Sequence, residues 1–275
     1  ILVRLVAPPR GAGVRGGLQT ENAALARATE ALNAERRRLI EEGIAARAVV
    51  LRSSSPGQDL AHIVAQEPVD LVLVEGRRPL LGDGVPLGEV TDLLRSAPCD
   101  VSVLVAREDQ PIGLGPKAPI LVPFGGAEHD WSALELGSWL AAQTGAPLRL
   151  LGAAGRTDEG PGVTRMLADA GLLAQQFAGV ATEPLLVEGG RDGILAAARG
   201  AGLLVVGLSD RWRKEGLGPT RAEIAKAAPA PVLFVRRGTR PGALAPRGEV
   251  TRFGWSLAGG QAAAFLAGSD RGAED

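Results

Sequence analysis

Cysteine and histidine are scarce in this sequence, which has one cysteine and two histidines in 275 residues. A single cysteine, Cys99, excludes an intrachain disulfide and a thiolate-based zinc site, and it fits a reducing compartment. Cys99 follows Pro98 at the start of an apolar run, where a small core side chain is the expected role. Because His62 and His129 are far apart in sequence, we expect no metal site.

An excess of charge of one sign is also missing, since 30 basic and 31 acidic residues give a formal net charge of −1. This balance provides no basic surface for phosphate backbones, so we expect no nucleic-acid partner. Hydrophobic residues make up 45% of the chain, but no apolar run approaches the roughly 20 residues that span a bilayer. The apolar run at the start of the chain is too short for a signal peptide.

Catalytic motifs are absent from the sequence as well. There is no Gly-x-Ser-x-Gly turn, no Walker A lysine motif and no His/Cys cluster. We therefore assign no catalytic residue and predict that the protein is not an enzyme. An enzyme of nucleotidyl transfer remains as a weaker alternative from a different functional class.

Two parts of the chain repeat the same order of apolar runs. Residues 71–74 are followed by a Gly/Pro-rich loop, a helical stretch and a second apolar run at 101–105. Residues 203–206 are followed in the same way by a Gly-rich stretch, an amphipathic segment and an apolar run at 232–235. Continuous apolar runs of this length are typical of strands buried on both faces of a parallel sheet.

The repeat continues upstream of these runs. Residues 148–151 correspond to residues 3–6, and each is followed by a loop and a helix. Gly179 and Gly43 are the expected ends of these two helices. A strand comes next in each copy, at 184–187 and at 48–51, and then a short helix whose N-cap we place near Asp192 and Asp59. Alternating strands and helices predict right-handed crossovers in a parallel sheet.

The second copy alone begins with a further strand and helix. Its strand is expected at 120–124 and its helix from about Asp130 to Ala142, closed by Gly145. If the strand order is 3-2-1-4-5, the first copy lacks its central strand. We therefore expect that residues upstream of Ile1 belong to a longer parent protein.

The predicted fold class is α/β, with two tandem open parallel-sheet domains, the first lacking its first strand and helix. The expected boundaries are a truncated domain at 1–110, a linker at 111–119, a complete domain at 120–238 and a partly disordered tail at 239–275. Residues 250–253 are the part of the tail with strand character.

This order of elements, with a glycine-rich loop after strand four, resembles the universal stress protein family over nearly all of residues 1–238. Residues 228–236 are particularly similar to the final strand of that family. The resemblance implies an adenine-nucleotide alpha-hydrolase-like fold. It also implies that the two copies are each other's partner in an intramolecular pseudo-dimer, and it allows a homodimer.

A narrower resemblance concerns residues 124–131, 207–212 and 251–256, which look like the cytoplasmic C-terminal region of bacterial cation/proton antiporters. It implies a regulatory, ligand-binding module in the cytoplasm, attached to the inner face of the membrane by a transporter domain upstream. The alternative is a free-standing tandem universal stress protein that binds an adenine nucleotide.

ATP-binding members of the family carry Gly-x2-Gly-x9-Gly-Ser/Thr after strand four, where glycines and a helix N-terminus approach phosphates. In the second copy Gly207 fits the first glycine, Asp210 replaces the second, and Thr220 closes the motif. In the first copy Glu75 and Arg78 replace the first two glycines. No cofactor is assigned with certainty, and ATP or another adenine nucleotide is the candidate ligand. The candidate ligand-binding residues are Gly125, Gly126, Gly207, Ser209, Gly218, Thr220 and Gly88.

Alternatives stay open for two of these features. Gly125 and Gly126 follow the first strand at the edge where ligands of open α/β folds bind, and they also suit a simple tight turn. His129 precedes the next helix, where it could contact a phosphate, cap the helix or face solvent.

Overall fold

The computed structural model describes residues 1–8, 14–76, 89–107, 112–154, 160–239 and 244. The described residues form nine strands and eight helices, which largely alternate along the chain. The strands are β1 (Leu2–Val6), β2 (Ala48–Arg52), β3 (Leu71–Gly76), β4 (Asp100–Val105), β5 (Ile120–Pro123), β6 (Leu148–Ala154), β7 (Thr182–Glu188), β8 (Leu203–Leu208) and β9 (Val232–Arg236). The helices are α1 (Val14–Glu41), α2 (Pro56–Gln66), α3 (Glu89–Ser96), α4 (Glu128–Thr144), α5 (Gly160–Ala178), α6 (Arg191–Ala197), α7 (Trp212–Glu215) and α8 (Gly218–Ala227).

The second half forms a parallel sheet in the order β7-β6-β5-β8-β9. Numbered within that half, this order is 3-2-1-4-5, which confirms the predicted strand order. The apolar runs at 203–206 and 232–235 form its fourth and fifth strands, and both are buried along their whole length. Their continuous hydrophobicity follows from this burial on both faces.

The first half has the predicted elements without a central strand. β1 pairs in parallel with β2 in a separate two-stranded sheet, and β3 pairs in parallel with β4. The hydrogen bonds align Leu2, and not Val3, with Leu148. Leu2 bonds to the residue that precedes β2, the strand that corresponds to β7. Pro147 and Leu151 instead accept hydrogen bonds from the other side, from Ile120 and Phe124 of the β5 segment. Arg4 lies between two residues that bond to β2, whereas Arg149 lies between two residues that bond to β5, so the sequence correspondence of 3–6 with 148–151 is shifted by one residue.

One antiparallel pair joins the two halves into a seven-stranded sheet. β4 lies beside β9, with Val103 opposite Phe234. The sheet order is β3-β4-β9-β8-β5-β6-β7. Side chains of α2, α3, α7 and α8 pack on one face of this sheet, and side chains of α4 and α5 pack on the other.

The helix ends show which local signals were informative. Gly145, Gly179 and Gly43 follow helices with φ of 67°, 67° and 82°, which confirms their predicted positions. The N-caps predicted near Asp59 and Asp192 are wrong, because both residues lie inside the first turn of their helices. The caps are Ser55 and Gly190; Pro56 occupies the first turn of α2, where a missing N–H costs nothing.

No helix of the described residues combines the length and the apolar composition needed to cross a bilayer. The predicted strand at 250–253 and most of the predicted tail lie outside the described residues.

Candidate functional site

The loop between β5 and α4 is held by one buried carboxylate. Asp130, 9% exposed, accepts hydrogen bonds at Oδ2 from the backbone N–H groups of Gly125 (2.9 Å) and Ala127 (3.2 Å). Gly125 belongs to the glycine pair, and Ala127 directly precedes α4. A carboxylate that accepts two backbone N–H groups fixes the path of the chain at the carboxyl end of the sheet.

A second group of side chains connects this loop to the end of β8. Arg221, in the first half of α8, donates from Nε to the carbonyl oxygen of Gly207 at 2.8 Å. Its Nη2 lies 2.9 Å from Nε2 of His129. The β5–α4 loop, β8 and α8 therefore meet at one point, next to the carboxyl ends of the two central strands. Open α/β sheets bind ligands at this position.

Burial controls the charges at this point. Burial lowers the pKa of His129, the Arg221 guanidinium lowers it further, and Asp130 opposes the change. His129 is therefore the neutral partner, and its Nε2 accepts the hydrogen bond from Arg221. Burial also lowers the pKa of Arg221, which Asp130 again opposes. Arg221 is thus a partly buried cation whose hydrogen-bond partners, a carbonyl and an imidazole, are both uncharged.

Gly207 has a clear structural reason to be glycine. A Cβ at this position would lie 2.6 Å from the carbonyl carbon of His129, and closer still to its oxygen. The first turn of α4 therefore occupies the space above the Cα of Gly207. The close approach that glycine permits here is made by the protein's own backbone, and contact between Gly207 and a ligand stays a prediction.

The structure places the other sequence-predicted residues around this point. Gly126 has φ of 81°, and a Cβ there would lie 2.9 Å from Sδ of Met166. Ser209 follows β8 and is half-buried, with its carbonyl accepting from the N–H of Trp212. Gly218 (φ 72°) and the exposed Thr220 lie in the first turn of α8. Gly88 lies outside the described residues.

Two residues of this site were not predicted. Arg221 directly follows Thr220, and only the packing of α8 against β8 shows that its side chain reaches Gly207. Asp130 was expected only as the start of a helix. Asp130 lies three residues after Ala127, the N-cap of α4, and a side chain at that spacing can accept the backbone N–H of the N-cap residue. This spacing could have predicted the role of Asp130 from the sequence.

Charged side chains surround the site at the surface. Arg237, which follows β9, pairs with Glu128 at the start of α4. Asp210 and Arg211 are exposed on the segment after β8, and Arg213 and Lys214 on α7 are exposed as well. Within the described residues, no group of three His, Cys, Asp or Glu side chains could hold a metal ion. The site therefore combines a partly buried cation, Arg221, with exposed cations on the segment after β8.

We expect His129 to make stability depend on pH. Burial lowers its folded-state pKa from the ordinary value of 6.5, so the unfolded chain binds the proton first as pH falls. The contribution of neutral His129 to the free energy of unfolding is complete above the pKa that histidine has in the unfolded chain. It is lost as pH falls from that value toward the lower pKa of the folded protein. The loss is at most about 1.4 kcal/mol per pH unit. Chemical denaturation between pH 7.5 and 5.5 should therefore show a steeper decline for the wild type than for His129→Gln.

The exposed histidine provides the matched control for this measurement. His62 lies on α2, away from the site, and its Nε2 is 2.9 Å from Nε2 of Gln66. His62→Gln should keep the steep decline of the wild type. An unchanged pH slope in His129→Gln would contradict the assignment.

Comparison with solved structures supports the fold. The chain is similar to a universal stress protein from Archaeoglobus fulgidus DSM 4304, with 15% identity, a TM-score of 0.56, and coverage of 86% of this chain and 87% of that one. It is also similar to a protein from Pseudomonas aeruginosa UCBPP-PA14 provisionally described as a universal stress protein, with 19% identity, a TM-score of 0.53, and coverage of 86% and 92%. A third similar structure, a functionally unknown protein from Pseudomonas aeruginosa PAO1, has 20% identity, a TM-score of 0.50, and coverage of 86% and 93%.

These likenesses establish the class of fold. The α/β architecture with a mainly parallel sheet is the one that universal stress proteins adopt. Coverage of 86% exceeds what either half of the chain could supply, so the likeness extends over both halves. No protein-family model matches the chain, and no curated protein matches it.

Proposed function

We propose that this chain is a ligand-responsive regulatory module built from two universal-stress-protein-like halves, and that it belongs to a cation/proton antiporter. The ligand is an anion of the adenine-nucleotide kind, bound at the carboxyl ends of β5 and β8. A ligand that binds one arrangement of the two halves more tightly than another shifts the population between them. The module needs no catalytic group for this role.

The environment of Arg221 is the observation that carries the proposal. This guanidinium is partly buried, its hydrogen bonds go to uncharged groups, and it lies beside the Gly125 loop that Asp130 fixes. Asp130 is the acidic side chain of the described residues that raises the pKa of Arg221, and an anionic group of a ligand would add a further countercharge. The exposed Arg211 adds a second cation at the rim of the same site.

Calorimetric titration with ATP, AMP and cyclic dinucleotides tests the binding role. We expect saturable binding of at least one of these ligands. Arg221→Met should weaken that binding about tenfold or more, because charge-assisted hydrogen bonds contribute roughly 1.5–3 kcal/mol. Thermal unfolding of the same variant checks that it is folded.

A surface arginine outside the site provides the matched control. Arg199 is exposed near the end of α6, and Arg199→Met should leave the dissociation constant within about twofold of wild type. The absence of saturable binding to any of the three ligand types would refute nucleotide binding. If Arg221→Met and Arg199→Met weakened ligand binding equally, the positive charge of Arg221 would act only by long-range attraction, and Arg221 would not contact the ligand.

The transporter context rests on the resemblance of residues 124–131 and 207–212 to the cytoplasmic region of antiporters. The coding sequence ahead of Ile1 discriminates between the two forms of the proposal. A series of apolar spans of about 20 residues would support the antiporter. A single strand and helix after a methionine would instead support a free-standing tandem protein that binds adenine nucleotide.

A further inference from the structure

Nε2 of His129 faces two groups of opposite charge. It lies 2.9 Å from Nη2 of Arg221 and 3.4 Å from Oδ1 of Asp130. Because a guanidinium can only donate hydrogen bonds, Nε2 accepts from Arg221, and the proton of the neutral ring is on Nδ1. Once Nε2 is protonated it can no longer accept. It can then only donate, and the Asp130 carboxylate is an acceptor that already faces it.

The two oxygens of Asp130 have separate roles. Oδ2 accepts the N–H groups of Gly125 and Ala127 and fixes the β5–α4 loop, whereas Oδ1 faces Nε2 of His129. The side chains of His129 and Asp130 are only 20% and 12% exposed, so salt and water screen their contact weakly. An ion pair at Oδ1 therefore forms without using the oxygen that holds the loop.

Arg221 is held by two hydrogen bonds that differ in their response to pH. Its Nε donates to the carbonyl oxygen of Gly207 at 2.8 Å, and a carbonyl does not titrate. Its Nη2 donates to the imidazole of His129. Protonation of His129 removes only the second bond and places two positive charges side by side, which drives Nη2 away from the ring. The guanidinium then stays attached to Gly207, and its Nη2 is available to an anion.

Charged side chains from three parts of the fold act on His129. They lie on its own helix, on α8 and on the segment after β8, and they are Asp130, Arg221, Arg211 and Asp210. Burial lowers the pKa of His129 most; the two arginines lower it and the two carboxylates raise it. Glu128, the charged residue before His129, is paired with Arg237. An anion bound beside Arg221 would add a negative charge and would therefore raise the pKa of His129.

We propose that His129 makes anion binding at this site depend on pH, because its protonation turns Nε2 from Arg221 to Asp130 and frees Nη2 of Arg221 for an anionic group of the ligand. This inference rests on the proposed binding of an anion at the carboxyl ends of β5 and β8. Protonation and anion binding favour each other, so binding takes up as much as one proton from solvent. The affinity then rises as pH falls, by at most about tenfold per pH unit.

Calorimetric titration at two pH values tests this dependence. ATP, AMP and cyclic dinucleotides are titrated into the wild type and into His129→Gln at pH 7.5 and at pH 5.5. From the higher to the lower pH, the affinity of the wild type should increase at least about fivefold more than that of His129→Gln. The side-chain carbonyl of glutamine can accept from Arg221 at either pH. Ionisation of the ligand's own phosphate is common to both proteins and cancels in the comparison.

The second histidine provides the matched control. His62 lies on α2, and His62→Gln should keep the pH dependence of the wild type. Titration in two buffers with different ionisation enthalpies measures the protons taken up on binding. The wild type and His62→Gln should take up more protons than His129→Gln. Thermal unfolding at pH 5.5 checks that each variant is folded.

A measurement without ligand tests the contact between the two side chains. Nitrogen NMR of the imidazole rings follows the protonation of His129 in the free protein. Arg221→Met should raise the pKa of His129, because the substitution removes a cation 2.9 Å from Nε2. An unchanged pKa of His129 in Arg221→Met would overturn the inference, whatever the titrations show.

The outcomes of the titrations separate this inference from the proposed function. A stronger gain in affinity at low pH for the wild type than for His129→Gln would support both. Saturable binding with the same pH dependence in the two proteins would overturn the inference and leave the binding role in place. The absence of binding by any of the three ligand types at either pH would overturn both.

Discussion

Phe234→Ala is expected to lower the free energy of unfolding by about 3–5 kcal/mol. Phe234 is 1% exposed and lies on β9, opposite Val206 of β8 and Val103 of β4. It belongs to a core cluster that contains side chains from both halves. The truncation therefore leaves a cavity where the two halves join, and the loss combines the transfer of the ring with the cost of the cavity.

Urea denaturation and thermal unfolding measure this effect, with a decrease of about 10 °C expected in Tm. Leu172→Ala is the matched control, because Leu172 lies on α5 with 58% of its surface exposed. That change should cost less than about 0.5 kcal/mol. A loss below about 1 kcal/mol for Phe234→Ala would show that the β4–β9 junction contributes little to stability.

The architecture could be predicted to a large extent because it depends on patterns that repeat within the chain. The apolar runs at 71–74 and 203–206 occupy equivalent places, and the first copy lacks a strand where the sequence lacks a run. The pairing of β4 with β9 was not predicted. Both strands are mostly apolar, and nothing in such a strand specifies which neighbour lies at its outer edge.

The candidate site could be predicted less well, since it is built from contacts between distant residues. Gly125, Gly126 and Gly207 were found because glycines after strands are local signals. Arg221 reaches Gly207 only through the packing of α8, and neither a motif nor a period identifies it. The sequence position of a glycine also does not predict which group contacts it. At Gly207 it is the backbone of His129.

Gly207→Ala is expected to destabilise the protein by about 3 kcal/mol. The new Cβ would overlap the carbonyl group of His129, which is backbone and has little freedom to move. That backbone lies in the first turn of α4, beside the loop that Asp130 holds through Gly125 and Ala127. Either α4 or the end of β8 must therefore shift, and the shift would break the hydrogen bond from Arg221 to the carbonyl of Gly207.

The comparison of stability with ligand affinity separates two roles for this glycine. Gly162→Ala is the control, because a Cβ there meets no atom within 4 Å and alanine is favoured in a helix. A lower Tm for Gly207→Ala alone would assign the glycine to the packing of β8 against α4. An unchanged Tm with a loss of nucleotide binding in the titration would contradict the expected destabilisation and assign Gly207 to the ligand. Because the new Cβ has no rotatable bond and the atoms that it meets first are main-chain atoms of His129, we expect the first result.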